Sequence, residues 1–354
     1  MKTYIRATAN ISPQQTFGQI QVPPEPIAHI GNRLNCTEPD YSKLIDSKLI
    51  RRMSRIIKMG VAAALGCLQE AGLGSPGAII TGTAYGCLQD TEIFLTKMIQ
   101  NNEEQLSPTS FIQSTHNTVG AQIALILHCH QYNNTFVHRG FSFESALLDA
   151  IMLLEENQNN PVLVGGLDEI TDSSHLILSR MGIYKRETVS NLDLYRSKSK
   201  GTLAGEGAAF FLLTNQPSSE NRAQLEGMTT FYKPANSGEI EKNIFSFLAS
   251  HSIGRDDLDL VMTGRNGDKK SDEIYDQLKD SIFKGTPSAN FKHLSGEYPT
   301  ATAFALWFAV AILSSGKVPE YARNGSIPSR PIRRILIYNH YQNIHHSLFL
   351  VSAC

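Results

Sequence analysis

Apolar positions along the chain repeat with two different periods. Met53, Ile56, Ile57, Val61, Ala64 and Leu65 fall at helical spacing between residues 51 and 71, which predicts a helix with one buried face. Ala78-Ile79-Ile80-Thr81-Gly82 follows Pro76-Gly77 as a short β-like run. Residues 117–128 predict an apolar helix, 134–137 a short strand and 142–156 a third helix. The unbroken apolar runs at 161–166 (PVLVGG) and 208–213 (AAFFLL) have the character of central strands covered on both faces. LDLVMTG at 258–264 and RILIYN at 334–339 repeat that pattern in the C-terminal part. Strand, glycine, helix and strand in repeated succession predict the α/β class. The longest apolar run, 301–314 (ATAFALWFAVAILS), falls short of the roughly 20 residues a membrane-spanning helix needs and predicts a buried helix.

Polar stretches at 191–201 and 216–222 interrupt these runs, and the second, with Pro217 and two serines, divides the chain into halves 1–215 and 216–354. No tandem repeat of 20 to 50 residues is visible. With 354 residues, 41% of them hydrophobic, the chain can bury a large core. Its 32 Lys and Arg against 33 Asp and Glu exclude a dedicated nucleic-acid binder, which carries a basic excess. Five cysteines, Cys36, Cys67, Cys87, Cys129 and Cys354, sit at irregular spacings without a C-x-x-C pair, which fits a reducing compartment. The opening MKTYIRATANISPQQ has no apolar stretch of a signal peptide, so a cytoplasmic protein without membrane contact is expected.

Several segments, in order, resemble the β-ketoacyl synthases of the thiolase fold. Residues 80–86 (ITGTAYG) are similar to that family's "GtgxG" loop, and 106–111 (LSPTSF) with Asn117 to its "lsPxxfpxxxxN" stretch. Residues 164–169 (VGGLDE) resemble the "vGGxE" strand end, 203–208 (LAGEGA) the "GEGA" hairpin, and 293–296 (HLSG) the "GHxxGA" motif. The resemblance runs from about Tyr4 to Val351. It implies a thiolase-like fold of two similar αβ halves in a five-layered α-β-α-β-α arrangement. It also implies dimerisation through the strand before the nucleophile.

An active member of that family carries a thiolate at a helix start, where the helix dipole lowers the thiol pKa. Counting back from Gly165-Gly166 places this position at Gly140, and no cysteine lies between Cys129 and Cys354. Ser142 is the nearest hydroxyl and reads as a helix N-cap, with His138 the one histidine near it in sequence. The family's "HGTgTxxxD" loop corresponds to residues 264–273, where Asp272 matches but no histidine is present. His293 matches the second family histidine and is open to a catalytic or a structural reading. The family's "GFGGxN" gate is replaced at 339–346 by NHYQNIHH, without glycine.

Other features carry less. His128-Cys129-His130 and His345-His346 do not converge on one face of a helix or strand, so no metal is expected, and no cofactor is expected either. Cys87 reads as a small buried residue, and Gly205-Glu206-Gly207 lacks the rest of a phosphate loop. Arg196, Lys198 and Lys200 form either a solvated loop or a docking point for an acidic carrier protein.

The family includes chain-length-factor subunits, which lack the cysteine and pair with an active ketosynthase on acyl carrier protein in polyketide and aryl-polyene synthesis. The resemblance implies this role, with Asn117, Phe136, His138 and Phe141 near the tunnel or the interface between subunits. Two other readings stay open. One is an active synthase or acyltransferase using Ser142 or His138 with His293. The other is a homodimeric acyl-binding module.

Overall fold

The computed structural model describes residues 2–104, 106–156, 160–197, 199–325 and 330–354. The first half carries β1 (Thr3–Ile11), β2 (Ile30–Gly31), α1 (Ser47–Ile50), α2 (Arg55–Ala71), β3 (Ala78–Gly82), α3 (Leu88–Gln100), α4 (Pro108–Gln113) and α5 (Thr118–Leu127). It continues with β4 (Tyr132–Phe136), α6 (Ser142–Glu156), β5 (Val162–Asp168), α7 (Asp172–Arg180), β6 (Val189–Ser190) and β7 (Gly207–Thr214). Then come β8 (Ala223–Tyr232), α8 (Ser237–Ser250), β9 (Leu260–Thr263), α9 (Lys269–Asp280) and β10 (Ser288–Asn290). The chain closes with α10 (Lys292–Ser295), α11 (Ala301–Ser315), β11 (Arg334–Tyr341) and β12 (His345–Ser352).

Ten strands form one sheet in the order β10-β9-β11-β12-β8-β1-β7-β5-β3-β4. Its two five-stranded parts follow the same rule. β1, β7 and β5 pair antiparallel and β5, β3 and β4 parallel. Likewise β8, β12 and β11 pair antiparallel, and β11, β9 and β10 parallel. Among the described strands, the short pairing from Thr3↔Leu225 to Ile5↔Ala223 links the two parts of the sheet.

Alternation along the strands sorts most of the apolar residues into three large clusters, and these define five layers. On the outer face of the first part, α2 and α5 cover Ala7, Ile79, Leu163, Phe210 and Leu212. On the outer face of the second part, α8 and α9 cover Val261, Leu336, Tyr338, Leu348 and Leu350. Between the two parts, α6 and α11 fill a central layer against Ile80, Val164 and Phe211 on one side and Met262, Ile337 and Phe349 on the other. The run AAFFLL therefore serves two layers at once, which is why it shows no polar alternation. A bulge in β1 between Ile5 and Ala7 does the same by shifting the register, so Ile5 faces the central layer and Ala7 the outer one.

Helix α11 is buried from Ala301 to Leu313 and contains Trp307. No helix among the described residues is long and apolar enough to cross a membrane. This is the two-halved, five-layered arrangement that the resemblance implies. The sequence pattern did not mark β1, β8 or β12. Helix α5 ends at Leu127, and His128 takes a left-handed conformation (φ 49°), so His128-Cys129-His130 lies beyond the helix.

Candidate functional site

The loop from β4 into α6 carries most of the residues singled out in the sequence. A short 3-10 turn, Arg139–Phe141, leads into α6. Ser142 does not cap α6; it is the first residue of the helix and its hydroxyl ties the turn. That hydroxyl donates to the Arg139 carbonyl (2.8 Å) and accepts the His138 backbone N–H (2.9 Å). Both its roles are taken, and it is fully buried. His138 is exposed, with Nδ1 3.5 Å from the Ser145 hydroxyl and its ring nearly perpendicular to that of Phe141 at 5.6 Å. Asn117 is exposed at the start of α5, and Phe136 is half-buried at the end of β4.

Gly140 is walled in. A Cβ added there would lie 2.8 Å from the Tyr341 Cβ and 3.0 Å from the His345 Cβ. These two residues flank the turn between β11 and β12. Gln342 and Asn343 occupy it with φ of 55° and 52°, and the Ile344 N–H returns to the Tyr341 carbonyl at 3.1 Å. Two successive left-handed residues make the tight hairpin that matches strand twist. The glycine-rich gate is thus replaced by a closed turn. His345 packs edge-on against Phe141 (4.7 Å), and Tyr232 completes the aromatic cap at 5.4 Å from His345. Tyr341 is buried beside Tyr85, Tyr184 and Glu297, and burial pushes its phenol far up. Behind Tyr85 and Tyr184 lies a cavity of about 170 Å³, lined chiefly by Leu88, Ile170, Ile177 and Leu178.

The second half contributes the opposite wall. Counting eight back from Asp272, as "HGTgTxxxD" requires, gives Gly264. A Cβ there would meet the Asn339 Oδ1 at 2.1 Å and the Tyr275 hydroxyl at 2.8 Å. Asp272 holds the loop by accepting the N–H groups of Asn266 (2.8 Å) and Gly267 (3.0 Å). His293 is buried with Nδ1 3.2 Å from the Tyr195 hydroxyl, and burial pulls its imidazole down to about 4, so it is neutral. No hydrogen bond among the described residues joins it to Gly140 or Ser142.

Sequence reasoning missed its neighbour. Lys292, fully buried, donates to both carboxylate oxygens of Glu297 (2.9 and 2.8 Å) and to the His340 carbonyl (3.1 Å). Glu297 also accepts from the Asn266 amide at 2.8 Å. The only signal available was a Lys and a Glu straddling Gly296 in a stretch with no other Lys, Arg, Asp or Glu from 285 to 316.

The motifs that carried the resemblance hold these walls together. Asp168 accepts from Thr83, Ala84 and Tyr85 with one oxygen and from Thr300 with the other, so it locks the first loop to the start of α11. Glu206 is buried against Arg55 (2.6 Å) and the backbone of Cys36 and Ile170. Gly205 and Gly296 touch backbone to backbone, with the Gly205 N–H on the Glu297 carbonyl at 3.0 Å. A Cβ on Gly205 would lie 2.1 Å from the Ser295 carbonyl oxygen, so only glycine fits.

Glu144 sits in the first turn of α6. One oxygen accepts from the Thr302 hydroxyl (2.7 Å) and the other has no partner. Burial raises its carboxyl from 4.5 to about 7. Between those values the folded chain keeps a proton that the unfolded chain has released. Stability therefore falls as pH rises through that window and levels off above it. Glu144→Gln is expected to flatten this slope and to gain most over the parent at pH 8. Urea unfolding at pH 5, 6, 7 and 8 checks it, and parallel curves would refute it.

Among the described residues, the Ser142 hydroxyl makes no hydrogen bond to a histidine ring. Cys87, the cysteine nearest in the first loop, is buried, and burial raises its thiol. Among the described residues no group of three His, Cys, Asp or Glu could hold a metal ion. Arg196 is exposed and paired with Asp193, Lys200 is exposed, and Lys198 lies outside the described residues.

Residues 32–195 match the family model described as "Beta-ketoacyl synthase, N-terminal domain". The ishigamide ketosynthase/chain length factor superposes with a TM-score of 0.80 at 18% identity, over 100% of this chain and 99% of that one. A beta-ketoacyl synthase from Burkholderia phymatum STM815 gives 0.80 at 12% identity, with the same coverage. The ketosynthase (ApeO) in complex with its chain length factor (ApeC) from Xenorhabdus doucetiae gives 0.76 at 15%, over 100% and 98%. No curated protein matches the sequence.

Proposed function

We propose that this chain, which carries a β-ketoacyl synthase N-terminal domain on a ketosynthase fold, is a non-catalytic chain-length-factor subunit that pairs with an active ketosynthase. The observation that carries this reading is Gly140. It stands where a thiol is required, and Tyr341 and His345 leave no room for one. The first family histidine position is Gly264, and His293 is buried with its Nδ1 on the Tyr195 hydroxyl. The likeness alone does not decide, because a β-ketoacyl synthase and a ketosynthase/chain length factor superpose equally well.

In this reading the partner supplies the chemistry on acyl groups delivered by acyl carrier protein. This chain supplies a rigid wall. The alternative with Ser142 as nucleophile is disfavoured by its hydroxyl, which is already donated and accepted within the turn. The test is transfer of a radiolabelled acyl group from carrier protein. The purified chain should take up none, and condensing activity should require the ketosynthase encoded beside it. A labelled adduct on this chain alone would overturn the proposal.

A further inference from the structure

The cavity of about 170 Å³ behind Tyr85 and Tyr184 has two carboxyl groups on its wall, Asp168 and Glu169. Asp168 spends both oxygens on Thr83, Ala84, Tyr85 and Thr300. Glu169 does not. It follows the last residue of β5, is 6% exposed, and accepts the Gln89 N–H in the first turn of α3 with one oxygen (3.0 Å). Among the described residues its other oxygen makes no hydrogen bond, and no ion pair reaches it. The charges of Asp90 and Glu206 act on Glu169 more strongly than that of Arg55. Arg55 is engaged elsewhere, with both terminal nitrogens on Glu206 and Nε on Glu38. Burial, with Asp90 and Glu206 adding to it, raises the Glu169 carboxyl from 4.5 to about 7. The rest of the wall is chiefly apolar, with Leu88, Leu178 and Ile177. Ile177 is 56% exposed, and α7, which carries it, buries none of its residues, so on that side the wall is one surface helix thick.

We infer that this cavity binds a small organic amine, one apolar ring or branched chain carrying a single ammonium group, with Glu169 as its counter-ion. The volume suits such a body, since an apolar cavity of roughly 150 Å³ takes up benzene. A buried carboxylate without a cation is costly, and an ammonium group removes that cost. The tyrosine rings on the wall favour a cation as well. A neutral chain would leave Glu169 uncompensated, and an anion would meet Glu169, Asp90 and Glu206 together.

The site stands apart from the reading as a paired subunit, and the purified full chain tests it. Benzylamine and benzoate share a ring and differ in charge. At pH 8 the Glu169 carboxyl is ionised and benzylamine is protonated. Isothermal titration calorimetry should show benzylamine binding one to one and benzoate giving no heat. Glu169→Gln keeps an oxygen for the Gln89 N–H and should weaken benzylamine about tenfold or more. Leu178→Phe, which fills the cavity, should weaken it likewise. The inference is overturned if the parent binds no benzylamine at millimolar concentration, or if benzoate binds as tightly. It is also overturned if either variant binds benzylamine as well as the parent, because the amine would then sit elsewhere.

Discussion

Lys292→Met is expected to destabilise the protein by about 3–5 kcal/mol, the usual cost of leaving one member of a buried ion pair alone. The Lys292 ammonium has no water to return to, and its three acceptors, two oxygens of Glu297 and the His340 carbonyl, all lie inside the molecule. Removing it strands the Glu297 carboxylate beside Asn266, in the loop that also positions Gly205 and Gly296. The double variant Lys292→Met/Glu297→Gln should recover more than half of the loss. Its amide oxygen can still accept from Asn266 while the uncompensated charge is gone. Urea unfolding of the two variants beside the parent decides the matter. A single variant within 1 kcal/mol of the parent, or a double variant no better than the single, would show that the pair does not organise this wall.

The second large effect concerns the missing thiol. Gly140→Cys should yield an unreactive cysteine and cost about 1–3 kcal/mol through overpacking against Tyr341 and His345. Mass spectrometry after incubation with iodoacetamide or acyl-carrier protein should find the chain unmodified. Adding Tyr341→Ala should open the space, so that the new thiol alkylates, yet condensation should still fail because Gly264 itself carries no imidazole and the nearby His340 is buried with its Nε2 on the Ser271 carbonyl. A Gly140→Cys variant as stable as the parent and acylated by carrier protein would contradict the geometry.

Much of the framework could be read from the sequence, because strands covered on both faces leave unbroken apolar runs. PVLVGG and AAFFLL became β5 and β7, and the run at 301–314 became the fully buried α11. Strands β1, β8 and β12 were harder. The bulge in β1 breaks its period, β8 is half exposed along most of its length, and β12 opens with His-His-Ser. At the site, the absence of a cysteine near Gly140 was visible, but what fills the gap was not. Tyr341 and His345 lie some 200 residues away in sequence and reach Gly140 only because β11 and β12 end beside the β4–α6 loop. Similarly, the match to "GHxxGA" drew attention to His293, whereas the inward-pointing charge belongs to Lys292. A motif gives the position of a residue along the chain, while burial and partners decide which neighbour matters.

The central layer has one more use. The chain has a single tryptophan, and Trp307 sits in α11, 1% exposed, with Phe304 and Phe308 against it. Side chains from both five-stranded parts close over that layer. Intrinsic tryptophan fluorescence of this protein is therefore a local gauge of whether the halves stay shut on each other. A red shift that precedes loss of helical circular dichroism would mean the halves part before they unfold, and coincident changes would mean the five layers melt as one.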